Sequence, residues 1–234
     1  MGTGPMINLH THTVYSDGAF LPDDIVRRAY EGGLSHIAIT DHFETTKVPS
    51  PLKIEHFERY MDNLAALKDK YKGKIEVLAG VEIDTNPERC DLESLPIELM
   101  NRLDVVLFEY ASDSINGGRQ LEGLEDFRKQ ITKPICGLCH WDMDRIFPYR
   151  DPNELANTLN VMDMFVEIST SPFYSREGMP IFLHAERFFR SFKGKVKVSI
   201  GTDTHRRIDE VVNLKIGQDF IRWIGLERDV VFKK

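Results

Sequence analysis

The sequence predicts an α/β fold in which a parallel sheet closes into a barrel, and three observations point there. Seven short apolar runs alternate with stretches of helical periodicity. No linker, repeat or change of composition divides residues 1–234, so they read as a single domain. Histidine, aspartate and glutamate gather where the apolar runs stop, as residues do at the carboxyl-terminal mouth of a barrel.

The predicted strands are residues 6–10, 37–40, 75–82, 105–109, 135–138, 165–168 and 196–200. Each is a short buried run bounded by polar or turn-forming residues. The first helix begins at Pro22, which pre-sets φ, with Asp23 and Asp24 complementing the helix dipole, and it stops at Gly32-Gly33. Ile54, Phe57, Met61, Leu64, Leu67 and Tyr71 recur at helical spacing ahead of Gly73 and predict a second helix with one buried stripe. Further helices are expected over 124–131, 154–162, 181–192 and 210–223.

Thirty basic against thirty-seven acidic residues give a net charge of −7, which opposes non-specific adhesion to nucleic acid or anionic lipid. It leaves a small phosphorylated substrate open. Cys90, Cys136 and Cys139 are too few for a disulfide framework and point to a reducing, cytoplasmic setting. No apolar run has the length of a membrane span, and no signal-peptide pattern is present. Gly2 to Pro5, ahead of Met6, read as an appended remnant or as the lead-in to an alternative start.

The chemistry lies at the strand ends. His10 and His12 follow the first strand, Asp41 and His42 the second, and Glu82 ends the third. His140 follows the fifth, Glu167 lies in the sixth, and Asp203 and His205 follow the seventh. Alternate residues of an extended segment point the same way, so both rings of His10-x-His12 can reach one ion. Imidazoles with carboxylates suit zinc, manganese and iron. Glu167 would be buried between Val166 and Ile168 unless it meets a cation or a donor. Cys136-x-x-Cys139 lacks a second pair and reads as core packing, while His36, His56 and His184 read as surface or capping residues.

The segments Asn8-Leu9-His10-Thr11-His12-Thr13, Ser16-Asp17-Gly18 and Ala38-Ile39-Thr40-Asp41-His42 resemble the opening signature of the PHP (polymerase and histidinol phosphatase) family. Gly80-Val81-Glu82-Ile83, the His140 segment and Gly201-Thr202-Asp203-Thr204-His205 are similar to its later motifs in the same order. The resemblance implies a distorted seven-stranded (β/α) TIM-like barrel that holds two to three divalent ions, zinc, manganese or iron with magnesium as a further option. It places His10, His12, Glu82 and Asp203 on one ion and Asp17, His42 and His205 on another. A third would sit between bridging Glu82 and His140. The family's fourth-strand histidine is missing from Asp104 to Ser112, and Glu109 is the candidate oxygen ligand in its place.

The activity implied is phosphoester hydrolysis, with in-line attack on phosphorus by a water that the ions activate. Three ions against Asp17, Glu82, Glu109 and Asp203 would leave about +2, matched to a phosphate dianion. Asp41 is expected to orient His42 or a water, and Arg145, Arg206 and Arg119 to fork onto phosphate oxygens. Trp141, Phe147, Tyr149, Phe173 and Tyr174 are candidates to wall the pocket, with 172–180 as a lid. The leading expectation is a phosphatase for a small phosphomonoester, histidinol phosphate-like or a nucleotide. The alternatives are a phosphodiesterase or 3′–5′ exonuclease on short nucleic acid, an inactive metal-binding subunit, and a hydrolase of C–N bonds. The absence of a basic stripe makes nucleic acid the weaker partner, and the oligomeric state is left open.

Overall fold

A computed structural model of the chain describes residues 6–232, so the segment Gly2 to Pro5 lies outside it. The strands are β1 (Ile7–Asn8), β2 (His36–His42), β3 (Glu76–Asp84), β4 (Val105–Glu109), β5 (Ile135–Leu138), β6 (Met164–Ser169), a small antiparallel hairpin of β7 (Ser175–Arg176) and β8 (Met179–Pro180), and β9 (Val198–Gly201). Apart from the hairpin they pair in parallel in chain order. The two outer strands of that sheet meet: Leu9 N donates to Ile200 O at 2.9 Å, Asp203 N to His10 O at 2.9 Å and His12 N to Thr204 O at 3.0 Å. The sheet is thereby nearly closed into a seven-stranded, distorted TIM-like barrel. Both faces of the strands are buried, which is why they read as unbroken apolar runs rather than as alternation.

Around the strands run α1 (Pro22–Glu31), α2 (Phe57–Tyr71), α3 (Ile97–Met100), α4 (Glu125–Gln130), α5 (Met143–Ile146), α6 (Pro152–Val161), α7 (Ile181–His184), α8 (Glu186–Phe192) and α9 (Lys215–Ile224). α1 starts at Pro22 and is capped at Gly32, as its sequence dictates. The buried stripe of α2 is Phe57, Tyr60, Leu64, Leu67 and Tyr71, with Ile54 exposed in a preceding 3₁₀ turn. Tyr60 takes the place expected for Met61 because its hydroxyl donates to Ile39 O and Gly80 O, pinning α2 to β2 and β3. The helix expected over 181–192 breaks at Ala185, and the one over 210–223 divides into a 3₁₀ turn and α9. No helix among the described residues is long and apolar enough to cross a membrane.

Candidate metal centre

The carboxyl ends of β1, β2, β3, β5 and β9 deliver their polar side chains to one buried point. His10 Nε2 and His12 Nε2 lie 3.0 Å apart. Asp203 Oδ1 is 3.0 Å from the His12 nitrogen and 3.3 Å from that of His10. The two oxygens of Glu82 approach from the other side, at 3.4 Å from His10 and 3.5 Å from His12. Next to this group, Asp17 Oδ1 stands 3.3 Å from His205 Nε2, 3.8 Å from His42 Nε2 and 3.8 Å from His12 Nδ1. Glu82 spans both groups and a third, with Oε2 2.9 Å from His42 Nδ1 and Oε1 2.8 Å from His140 Nε2. Glu109 completes the ring, 3.7 Å from His42 and 3.8 Å from His140. The nine residues expected as ligands therefore fall into groups whose ligand atoms lie within 4.8 Å of one another.

This donor set fits divalent ions. His42 Nδ1 and Glu82 Oε2 are buried, face each other and have no hydrogen-bond partner. So many acidic and imidazole groups in one buried pocket repel or titrate unless a cation joins them. Protons fill that part without an ion. Burial opposes the charge on His10, but the carboxylates of Glu167, Glu82 and Asp203 outweigh it and hold its pKa well above the usual value. Burial is likewise outweighed at His205, where Asp17 and Asp203 raise the pKa to about 9. His42 is raised against burial by Glu82 and Glu109. In His12, burial and the neighbouring His42 lower it to about 3, so this ring stays neutral. Despite their burial, Asp203 is held well below the carboxylate range by His10 and His12, and Glu82 by His42 and His10.

Local structure fixes these positions. His140 and Asp203 both have left-handed backbones, with φ of 33° and 48°, a strained choice that turns their side chains inward just after the strand. Glu167 faces the site: its Oε2 is 2.8 Å from His10 Nδ1, and its Oε1 accepts from His140 N at 3.2 Å. A carboxylate on the far nitrogen of a ligating histidine sets its tautomer and ring orientation. The neighbouring strand makes room with Gly201, where a Cβ would lie 2.2 Å from Glu167 Oε2 and 2.7 Å from His10 Cβ.

Other expected residues sit elsewhere. Asp41 does not orient His42. Its buried carboxylate accepts from Thr13 N and Thr13 Oγ1 at 2.7 Å and from Ser16 Oγ at 2.6 Å, so it ties down the loop between His12 and Asp17. Arg145 is not brought to the cluster, because Asp113 takes its guanidinium at 2.6 and 3.1 Å in an adjoining cleft. Arg119 is paired with Glu93. Arg206 is exposed at the rim of a cavity of about 360 Å³ that opens above Asp17, His42, Glu82 and Asp203. Phe173 and Tyr174 wall this cavity, and Tyr174 stacks on His140 with ring centres 4.2 Å apart. Trp141 instead packs inside, donating to Ala111 O, and Tyr149 is on the surface.

Sequence reasoning missed two residues at the centre. Cys139 is buried as expected, yet its Sγ lies 3.0 Å from Glu82 Oε1, beside His10 and His140. Lys47 reaches in from the loop after β2 to Glu109 Oε2 at 2.5 Å. The first is signalled only by its place next to His140; the second has no pattern around it. His36 is covered by Phe232 rather than exposed, with rings stacked 5.2 Å apart. His56 is exposed, and His184 hydrogen-bonds Arg176 O at 2.9 Å.

Comparison with known proteins agrees with this architecture. The PHP domain model matches residues 8–173. The chain is 28% identical over 226 residues to an uncharacterized protein of Methanocaldococcus jannaschii, covering 94% of this chain and 88% of that one. It is 32% identical over 216 residues to DNA polymerase/3′-5′ exonuclease PolX of Bacillus subtilis, covering 90% of this chain but only 36% of PolX. Among solved structures, histidinol phosphate phosphatase of Lactococcus lactis, complexed with zinc, L-histidinol and phosphate, superposes with a TM-score of 0.64 at 17% identity over 94% of both chains. With the family model covering most of the barrel and the candidate ligand residues gathered at its mouth, the chain belongs to the PHP domain family of metal-dependent phosphoesterases.

Proposed function

We propose that the protein is a phosphatase for a small phosphomonoester, with one divalent ion held by His10, His12, Glu82 and Asp203 and another by Asp17, His42 and His205. The observation that carries this reading is the convergence of these ligand-type residues, from four separate strand ends, beneath a cavity sized for a small molecule. Bound ions would supply Lewis acidity and lower the pKa of water at neutral pH. The protein's own part is to hold the rings and carboxylates in register, to cover His140 with Tyr174, and to present Arg206 to phosphate oxygens. At these two sites the imidazole nitrogens favour zinc, manganese or iron. The fold shared with the Lactococcus phosphatase supports a histidinol phosphate-like substrate, and a nucleotide fits the same cavity chemistry.

The test is elemental analysis of gently purified protein, coupled to p-nitrophenyl phosphate hydrolysis after stripping and adding back each ion. Bound metal with turnover restored by it is expected. A folded protein that binds none of these ions refutes the reading. The match to PolX favours a second reading, a phosphodiesterase or 3′–5′ exonuclease. Strong, salt-dependent affinity for single-stranded DNA with release of mononucleotides would put that reading first.

A further inference from the structure

We infer that Lys47 supplies the third cation of this centre: its ammonium stands between Glu109 and the cavity where a third ion would otherwise bind, and it contacts the phosphoryl group of the substrate. The inference rests on the metal-dependent reading above. The fourth strand ends without a histidine, and its segment contributes a single ligand-type side chain, Glu109, to the cluster. One oxygen of that carboxylate is taken by Lys47 Nζ at 2.5 Å, and His140 Nε2 lies 3.8 Å from the same oxygen. The position between Glu82, Glu109 and His140 thus already faces a positive charge.

Lys47 is built into the site rather than swinging at the surface. Its side chain is 23% exposed, against 0% for Glu109. Its backbone N–H donates to Thr45 Oγ1, which in turn donates to Asp84 Oδ2, so the loop after β2 is tied to the end of β3. Its ammonium also lies 5.0 Å from the centre of the Tyr110 ring, an attractive arrangement for a cation. It lines the same cavity as His42, Glu82 and Asp203, so an anion seated there meets it directly.

Charge favours the same assignment. Five buried or half-buried carboxylates meet at the centre: Asp17, Glu82, Glu109, Glu167 and Asp203. Two divalent ions and one ammonium balance them, leaving a neutral resting site, whereas a third ion would have to bind beside an ammonium. Two positions among the described residues compete with this assignment for a third ion: the unpaired oxygen of Glu109, 3.7 Å from His42 Nδ1, and the group formed by His10, Glu82, Cys139 and His140.

The test measures metal equivalents on the purified, ion-saturated protein after gel filtration, and the affinity of inorganic phosphate by calorimetry. Two equivalents are expected for the unaltered protein. Lys47→Met is expected to keep at least two and to bind phosphate about 10- to 100-fold more weakly. Lys47→Arg, which keeps the charge, is expected to stay within severalfold of the unaltered protein and serves as the readout if Lys47→Met fails to fold. Three equivalents in the unaltered protein overturn the assignment of Lys47 alone, while none overturns it together with the metal-dependent reading. Unchanged phosphate affinity in a folded Lys47→Met protein also overturns it, as does a Lys47→Arg protein that binds phosphate far more weakly.

Discussion

Replacing Glu167 by glutamine tests how the centre is held. The carboxylate oxygen lies 2.8 Å from His10 Nδ1, and both side chains are fully buried. A hydrogen bond to a charged partner contributes roughly 1.5–3 kcal/mol and a neutral one roughly 0.5–1.5, so the isosteric change removes about 1–1.5 kcal/mol. If that energy acts on His10 as a ligand, affinity for the ion it holds falls about tenfold, the lower end of the range for lost orienting partners. The opposing effect is proton competition, because Glu167 also raises the pKa of His10. Alkaline pH suppresses that term. The assay is therefore chelator competition for zinc or manganese at alkaline pH, with circular dichroism as the fold control. Equal affinity in a folded Glu167→Gln protein would refute the idea that this carboxylate sets the ring.

Two further outcomes follow from the same geometry. In metal-stripped protein, His205 has its pKa raised from 6.5 to about 9, so its contribution to stability is full below 6.5 and is lost as pH rises through about 9. The unfolding temperature in chelator should fall across that interval and ion affinity should rise as protons leave; a flat profile for both rules this out. Asp41→Ala strands the donors of Thr13 and Ser16 in a buried loop and is expected to cost about 3 kcal/mol in urea unfolding, with weaker ion retention through His12 and Asp17. A loss below about 1 kcal/mol would show that this loop holds without it.

Strands β4 and β5 were legible to the residue, because continuous apolar runs there end sharply at Asp104 and Pro134 on one side. The run over 6–10 was readable as a strand but not in extent, since only Ile7 and Asn8 pair regularly with β2 before the chain also meets β9. Helix breaks at Ala185 and near Leu214 carry no glycine or proline signal in the sequence. The clustering of the ligand-type residues was legible because metal chemistry restricts residue types and strand ends restrict their places. The supporting residues were legible only in part. Glu167 stood out as a buried acid in need of a cation or a donor, but its partners did not; Lys47 is one lysine in a loop, and Asp41 has its role fixed by donors that come from another segment. Arg145 looked free only because Asp113, its partner, lies across a different loop.

The seam between β1 and β9 bears on folding. Leu9 and Ile200 are nearly two hundred residues apart in the chain, and His10 and Asp203, on either side of that seam, contribute to the same cluster. An ion held by both would act as a removable staple across this long closure and would bind fully only where the two strands meet. Free ion at a thousandfold its dissociation constant would add about 4 kcal/mol against unfolding. Loading with metal would then report on closure of this seam, and starvation for metal would loosen the barrel along this line.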